Sequence, residues 1–416
     1  MIRNWNLSKM RNMWAALLLG GMVSALSANN GDLVRLTRAP YIQQCSPDSV
    51  IISWKTNKPV PTAIDFDTDY DYQGFIHDPR ETDFHTVTLR NLQSDQMYFY
   101  RVTFDERTLY AGHFKTYPRK DDAGYESFAF FALGDGGRAD EHQQEVRDQI
   151  QRYVLENKVD FGIYMGDIVY NDGDEFAQDP TYFTPYQNII DRLVIWPTVG
   201  NHDLHAEEGA PYFRNRILPE PEEFRSQKFP ERWYAFRYGP ALFIALDSTI
   251  PDDETQIKFL RRTIKQHKDA RWKFVNMHHP PYATPYADKE GCSHVSEKKI
   301  RRKFSPYFEH YNVDMVFSGH NHTYQRSKLR KDFISTSKGV YYIVSGGGGR
   351  GIHAVNPNDY DCQSPPLEQA AVQGNTYHFV HVGVDGLTLT LEGVSEKGEI
   401  FDSFKYTKEL PGNASE

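Results

Sequence analysis

The sequence predicts an α/β protein preceded by a small all-β sandwich domain. Downstream of about residue 125, short apolar runs alternate with segments of helical spacing, and short apolar runs closed by glycine are typical of buried strands in a covered sheet. Upstream, from Leu33 to about Pro118, short alternating segments are separated by turn residues at near-regular intervals, as in a β-sandwich. The 416 residues leave room for about two domains.

The N-terminal segment contains a series of short predicted strands, with Trp54 as the expected core residue. These strands are Ser49–Trp54, Thr62–Phe66, His85–Leu89, Met97–Thr103 and Leu109–Thr116. The stretch that follows, Tyr117–Gly124, is charged and rich in turn residues. Such a stretch predicts a domain boundary.

The C-terminal segment alternates predicted strands with predicted helices. The strands are Phe128–Leu133, Phe161–Met165, Val194–Val199, Lys273–Met277, Met315–Phe317 and Tyr341–Ser345, followed by a hairpin of Tyr377–Val384 and Leu387–Val394. Val146, Ile150, Val154 and Leu155 recur at helical spacing and predict an amphipathic helix over 141–157. A similar pattern covers 258–267.

The first residues have the pattern of a secretory signal peptide, which we assign to residues 1–28. Basic residues precede an apolar stretch from about Met13 to Leu26, and cleavage is expected between Ala25 and Asn29. An uncleaved anchor is the alternative, but the stretch is short for a membrane-spanning helix. The sequence therefore predicts a secreted or periplasmic protein without a stable membrane anchor.

Composition excludes some functions and leaves others open. A net charge of -9 gives no electrostatic basis for binding nucleic acid. The cysteines are Cys45, Cys292 and Cys362, an odd number. A Cys292–Cys362 disulfide and three unpaired thiols are both consistent with this pattern. A monomer and a dimer are both consistent with the sequence.

Clusters of polar residues follow five of the predicted strands. The clusters are Asp135–Gly137, Gly166–Tyr170, Gly200–Asp203, Met277–Pro280 and Gly319–His322. Open α/β sheets place their sites outside the carboxyl ends of the strands, so these loops are expected to converge. Asp, Asn, His and Tyr all offer oxygen or imidazole nitrogen to a cation. Together the clusters predict a two-metal site.

The charges of the candidate ligands divide the site into two halves. Asp135, Asp167 and Tyr170 as phenolate supply three negative charges, which suits a trivalent ion such as ferric iron. Asp167 is the expected bridge, and His322 would complete the ferric side. The neutral candidates suit a divalent neighbour: Asn201, His278 and His320.

These five clusters resemble those of the calcineurin-like metallophosphoesterases, and specifically the purple acid phosphatases. The general superfamily has a histidine where this chain has Gly137, and Tyr170 is the accompanying mark of the purple variant. Upstream, residues 39–54 resemble the fibronectin type III-like domain of the large plant-type form. The resemblance implies this domain over 31–120, and a catalytic domain over 125–410 built as a four-layer α/β/β/α metallophosphoesterase sandwich.

The resemblance also implies a ligand set and a cofactor. Iron (Fe³⁺) would be held by Asp135, Asp167, Tyr170 and His322. One divalent ion (Zn²⁺, Mn²⁺ or Fe²⁺) would be held by Asp167, Asn201, His278 and His320.

The activity implied is that of a secreted acid phosphatase with an acidic optimum. It would hydrolyse small-molecule phosphate monoesters by in-line attack of metal-bound hydroxide. A histidine would protonate the leaving group, with His202 as the first candidate and His279 and His294 as the others. His279 departs from the plant pattern, which usually has a small residue there. Asp203 is expected either to orient His202 or a ligand, or to stabilise a turn.

Other functions stay open on the sequence alone. The same metals would serve a phosphodiesterase or a nucleotide hydrolase. A secreted binding protein with an inert phosphatase domain is an alternative of another class, and a redox role for the iron is a third. Near the site, Arg138, Arg326 and Arg350 would change its charge. Arg350, which follows four glycines, is either a substrate contact or part of a surface turn.

Overall fold

The described part of the computed structural model contains three large β-sheets and one two-stranded sheet. The structure describes residues 33–122, 126–221, 223–224, 230–283, 287–288, 291–292, 295–331, 334–335, 339–353, 370–374 and 376–409. The signal peptide predicted for residues 1–28 lies outside these ranges. Cys362 lies outside them too, so the alternative of a Cys292–Cys362 disulfide also lies outside the described residues. Cys45 is a buried free thiol.

The N-terminal sheet contains five strands among the described residues: β1 (Leu36–Cys45), β2 (Ser49–Asp67), β3 (Gly74–Arg90), β4 (Met97–Phe104) and β5 (Arg107–Lys115). Trp54 is 1% exposed, which confirms it as a core residue. Two strands expected from the sequence are halves of the long strand β2. Its ladder to β3 is irregular between Lys55 and Thr62, where Pro59 and Pro61 lack the N–H groups that regular pairing needs. Beyond this break, β2 also pairs with β4.

Buried polar contacts join the N-terminal sheet to the rest of the chain. Arg38 forms an ion pair with Asp179 at 2.5 Å. The Tyr41 hydroxyl donates to the Asn215 carbonyl at 2.9 Å. Tyr117, the first residue of the expected linker, is 3% exposed and accepts a hydrogen bond from Trp196 Nε1 at 2.8 Å. From Leu36 onward the chain is therefore one unit.

The remaining described strands and helices follow in chain order. The strands are β6 (Ser127–Leu133), β7 (Phe161–Met165), β8 (Ile195–Thr198), β9 (Tyr234–Tyr238), β10 (Ala241–Ala245), β11 (Trp272–Met277), β12 (Ala287–Asp288), β13 (Gly291–Cys292), β14 (Met315–Ser318), β15 (Tyr324–Lys331), β16 (Ile334–Ser335), β17 (Val340–Ser345), β18 (Ala370–Gly374), β19 (His378–Asp385), β20 (Thr388–Ser395) and β21 (Ile400–Thr407). The α-helices are α1 (Glu141–Leu155), α2 (Glu175–Gln178), α3 (Gln187–Ile190), α4 (Ala210–Asn215), α5 (Glu254–Gln266) and α6 (Val295–His310).

Two sheets face each other between helical layers. The first has the order β21-β20-β19-β6-β7-β8, and the second β16-β15-β17-β14-β11-β10-β9, with β18 also paired to β15. Phe130 of the first sheet packs on Phe243 and Phe274 of the second, with ring centroids 5.2 and 5.5 Å apart. Helices α5 and α6 share a separate core with the second sheet, and Tyr153 of α1 packs on Phe379 of β19. The fold is the four-layer α/β/β/α sandwich expected from the sequence.

Most predicted elements of the C-terminal segment are confirmed to within a few residues. The error within α1 is Leu155, which is 61% exposed at the end of the helix rather than buried. The strands that were not assigned from the sequence are β9, β10, β12, β13, β15, β16, β18 and β21. Among the described residues, no helix is both long enough and apolar enough to span a bilayer.

Candidate metal centre

The carboxyl ends of parallel strands bring the predicted clusters together. Strands β6, β7 and β8 are parallel in one sheet, and β11, β14 and β17 are parallel in the other. Asp135 follows β6, and His320 follows β14 of the facing sheet. The His320 backbone N–H donates to Asp135 Oδ2 at 2.8 Å, so the two edges meet at the site.

Unusual backbone conformations aim three of these side chains. Asp135, Asp167 and His320 have φ angles of 61°, 53° and 66°, in the left-handed region that non-glycine residues seldom adopt. Such strained positions concentrate at functional sites. Gly137 has a steric role, because a Cβ atom there would lie 1.5 Å from the Ile168 carbonyl oxygen. No side chain, histidine included, fits at position 137.

The imidazole of His278 offers a lone pair to the neighbouring ligands. Its Nδ1 donates to the Met165 carbonyl at 2.7 Å, so the neutral ring carries its lone pair on Nε2. Nε2 lies 3.0 Å from Asn201 Oδ1, 3.2 Å from His320 Nδ1 and 3.3 Å from Asp167 Oδ2. Because a lone pair, an amide oxygen and a carboxylate oxygen face one another, a cation between them fits this arrangement.

His322 makes the same kind of arrangement with Tyr170 and Asp135. Its Nδ1 donates to the Gly351 carbonyl at 2.7 Å, which leaves the Nε2 lone pair facing the site. Nε2 lies 3.3 Å from the Tyr170 hydroxyl and 3.6 Å from Asp135 Oδ1. That hydroxyl lies 3.0 Å from Asp135 Oδ1 and 2.9 Å from Asp167 Oδ2. Asp167 is therefore common to both groups of predicted ligands.

The pKa values of His278 and Tyr170 show that this site requires positive charge. Burial lowers the pKa of His278, but the charge and hydrogen bond of Asp167 oppose it and raise the pKa to about 10. In the absence of a metal, a proton would therefore take the place of a cation at His278. Burial, reinforced by the charges of Asp135 and Asp167, raises the pKa of Tyr170 well above 10. A phenolate here needs a compensating positive charge.

Asp203 organises the loops that carry the candidate ligands. Its Oδ1 accepts hydrogen bonds from the backbone N–H groups of Ile168 and Val169, at 2.9 and 3.1 Å, and its Oδ2 accepts from Gly200 N–H at 2.9 Å. Burial, followed by the charge of Asp167, raises the pKa of Asp203 to about 7. Asp203 thus ties the Asp167 loop to the Asn201 loop and does not orient His202.

The three candidate acids occupy different places. His202 lines a cavity of about 410 Å³ at the site, and its Nδ1 donates to the Asn171 carbonyl at 2.6 Å. His279 is 8% exposed, and its Nδ1 lies 2.9 Å from the Ser248 hydroxyl. It is grouped with His278 and His320 and is not among the described residues that line the cavity. His294 lies outside the described residues.

The cavity also contains residues that the sequence did not single out or left undecided. Arg138, Arg350 and His353 line it beside Asp167, His320 and His322. The His353 ring stacks on the His322 ring, with centroids 4.1 Å apart. In the sequence, His353 comes shortly after the four glycines. By contrast, Arg326 is not among the described residues that line the cavity. Arg326 is buried and forms an ion pair with Asp402 at 2.7 Å.

The glycine loop Gly346–Gly349 packs too closely for side chains. A Cβ at Gly348 would lie 2.5 Å from the Gly134 carbonyl, and one at Gly347 would lie 2.2 Å from His378 Nδ1. The backbone N–H of His378 donates to the Gly347 carbonyl at 2.9 Å. His378 is therefore a buried support of the loop that carries Arg350.

We expect acid to destabilise the protein through His378. Its Nδ1 donates to the Thr376 carbonyl, its Nε2 has no polar partner among the described residues, and burial lowers its pKa to about 4. Between pH 6.5 and 4 the unfolded state binds this proton and the folded state does not, so stability falls as pH falls through that window. The maximum loss is roughly 3 kcal/mol.

Urea unfolding at pH 7, 5.5 and 4 measures this loss. The His378→Gln variant should lose less stability over the window than the wild type, whereas the exposed control His77→Gln should match the wild type. Equal pH dependence in His378→Gln and the wild type would show that His378 does not contribute.

Comparisons with known proteins agree with this geometry. The family model "Calcineurin-like phosphoesterase" matches residues 109–324, which contain all five clusters. Purple acid phosphatase 1 of Ipomoea batatas is 27% identical over 292 residues, 64% of this chain and 58% of that protein. A phosphoenolpyruvate phosphatase of Allium cepa is 28% identical over 296 residues, 67% and 55% of the two chains. The chain thus spans little more than half the length of these relatives.

A solved structure extends the similarity to most of the fold. The purple acid phosphatase from seeds of yellow lupin (Lupinus luteus) superposes with a TM-score of 0.74 at 17% identity. The superposition covers 89% of this chain and 74% of the lupin chain. It therefore includes sheets from both segments.

Proposed function

The chain belongs to the calcineurin-like phosphoesterase family, and on that basis we propose that it is a secreted acid phosphatase that hydrolyses phosphate monoesters. One observation carries the proposal. The Nε2 atoms of His278 and His322 point their lone pairs at two groups of oxygen and nitrogen ligands that share Asp167. A pair of cations bound at these two groups would accept the lone pairs of all these ligand atoms.

The residues present fit the ions that the purple acid phosphatases imply. Asp135, Asp167, Tyr170 and His322 would hold ferric iron, because three anionic ligands match a trivalent ion. The divalent ion would be held by Asp167, Asn201, His278 and His320. When bound, such a pair neutralises phosphoryl oxygens and lowers the pKa of a water molecule.

His202 is the proposed proton donor to the leaving group. Because its Nδ1 is committed to the Asn171 carbonyl, any second proton is carried on Nε2. The backbone N–H of His202 donates to Asp167 Oδ1 at 2.9 Å, which fixes the ring next to the shared ligand. A histidine held in this way can deliver its proton to an ester oxygen bound in the cavity.

Monoesters are the proposed substrates because of charge. A ferric and a divalent ion, offset by the two carboxylates and the phenolate, leave about two positive charges, which matches a monoester dianion. Turnover of p-nitrophenyl phosphate should therefore exceed that of its methyl diester.

We propose that the enzyme is exported, because residues 1–28 have the pattern of a signal peptide. From the resemblance we propose two domains: a fibronectin type III-like domain over 31–120 and a catalytic domain over 125–410.

Replacing Tyr170 with phenylalanine tests the iron assignment. Wild-type protein should absorb near ~550 nm through charge transfer from phenolate to iron(III), and Tyr170→Phe should lose this band. Metal analysis and a visible spectrum of the purified protein measure this. The control Tyr186→Phe changes a buried tyrosine outside the ligand set and should keep the band. A colourless wild-type protein with two zinc or two manganese ions would contradict the iron assignment and leave a two-metal phosphoesterase.

A further inference from the structure

One wall of the cavity carries positive charge that the metal centre does not use. Arg138 and Arg350 line the cavity together with His353, beside the candidate ligands His320 and His322. The chain as a whole has a net charge of -9, so the cavity differs from the average surface. Asp167, a metal-ligand candidate, is the only acidic residue among the described residues of the lining.

Two glycine loops that contact each other carry the arginines. Arg138 follows Gly136 and Gly137, and Arg350 follows Gly349. A Cβ at Gly136 would lie 3.0 Å from the Gly348 carbonyl, so the two loops are in backbone contact. The Arg350 backbone N–H donates to the Asp135 carbonyl at 2.8 Å. Both arginines line the same cavity.

The cationic groups are available to an anion. The Arg350 guanidinium lies 4.9 Å from the centroid of the Tyr170 ring and forms no ion pair with the residues that the structure describes. Arg138 lies 4.0 Å from Asp140, and the two side chains are 49% and 36% exposed, which is a weak pairing.

His353 lies on the same wall. Its Nδ1 accepts the backbone N–H of His322 at 3.3 Å, so the neutral ring carries its proton on Nε2. Stacking on the His322 ring fixes its plane. The ring therefore adds no negative charge to the wall.

We propose that Arg350, Arg138 and His353 form a second anion subsite, and that the preferred substrates are phosphate esters that carry a second phosphate group. Guanidinium groups bind phosphate oxygens in a bidentate manner, which gives both affinity and orientation. With one phosphate on the metal pair, a second phosphate within a few bonds reaches the arginines. This inference rests on the proposed function, because the first phosphate binds at the metals.

Equilibrium binding tests the subsite without catalysis. The metal-loaded protein is titrated with methylphosphonate and with methylenebisphosphonate, neither of which can be hydrolysed as an ester. Wild type should bind the bisphosphonate at least about tenfold more tightly, with the stronger salt dependence expected of charge pairing. The double variant Arg138→Gln/Arg350→Gln should lose most of this preference. Arg80→Gln, which changes an exposed arginine on β3, should retain it.

Kinetics distinguish two positions of the second phosphate: on a separate carbon, as in a sugar bisphosphate, or joined directly to the first phosphate, as in pyrophosphate. The ratio of kcat/KM for a sugar bisphosphate to that for glycerol phosphate, and the ratio for pyrophosphate to glycerol phosphate, should both fall about tenfold in Arg350→Gln, mainly through KM. A fall in one ratio alone identifies the spacing that the subsite accepts.

Two outcomes are distinguishable. An unchanged bisphosphonate preference in the double variant overturns the subsite, because the metals alone then bind the second group. Loss of preference in the double variant, together with no hydrolysis of any ester by wild type, supports the subsite and rejects the phosphatase activity.

Discussion

Asp167→Asn should reduce phosphate monoester hydrolysis by more than about a thousandfold, the largest effect expected for a single substitution. Asp167 is the carboxylate common to both ligand groups, with Oδ2 2.9 Å from the Tyr170 hydroxyl and 3.3 Å from His278 Nε2. Asparagine preserves the shape of the side chain and removes its negative charge. The expected loss is therefore one of metal binding rather than of folding.

Metal content and kcat measured on the same preparation check this prediction. Asp167→Asn should retain less than the full complement of two metal ions, with a far-UV circular dichroism spectrum equal to that of wild type. Asp172→Asn changes an exposed carboxylate a few residues away and should keep both metals and activity. If Asp167→Asn kept two ions and turned over substrate at the wild-type rate, the shared-ligand assignment would be wrong.

His202→Gln should lower kcat by about a hundredfold to ten-thousandfold for esters with a poor leaving group, such as glycerol phosphate. The loss should be much smaller for p-nitrophenyl phosphate, because p-nitrophenolate leaves without a proton. The difference between the two substrates reports proton donation, which a merely structural role of His202 would not produce. Metal content should stay at two ions, since only the backbone of His202 contacts Asp167.

His205→Gln is the matched control for His202. His205 lies on the same turn, with ring centroids 4.9 Å apart, but it is exposed and is not among the described residues that line the cavity. It should show wild-type rates on both substrates. An equal loss for both substrates in His202→Gln would remove His202 as the acid, and the same substrate pair would then be applied to His279→Gln.

The sequence alone predicted much of the catalytic segment because its signals are local. A buried strand such as Phe161–Met165 is a continuous apolar run, and the polar residues after it stand out within a few positions. The long N-terminal strand was harder to predict. The sequence predicted two strands separated by turn residues, whereas pairing with β3 before and after the irregularity keeps β2 continuous, and β4 pairs with its second half.

The sequence by itself determined which residues are candidate ligands, because their chemistry and their place after apolar strands are properties of short segments. Only the tertiary structure decided how each is used. The lone pairs of His278 and His322 are directed by the carbonyls of Met165 and Gly351, and the former is 113 residues away in the chain. In the same way, the charge of Arg326 is paired by Asp402, a carboxylate distant in the chain. Hydrogen-bond partners that meet only through folding leave no local pattern, so no reading of neighbouring residues finds them.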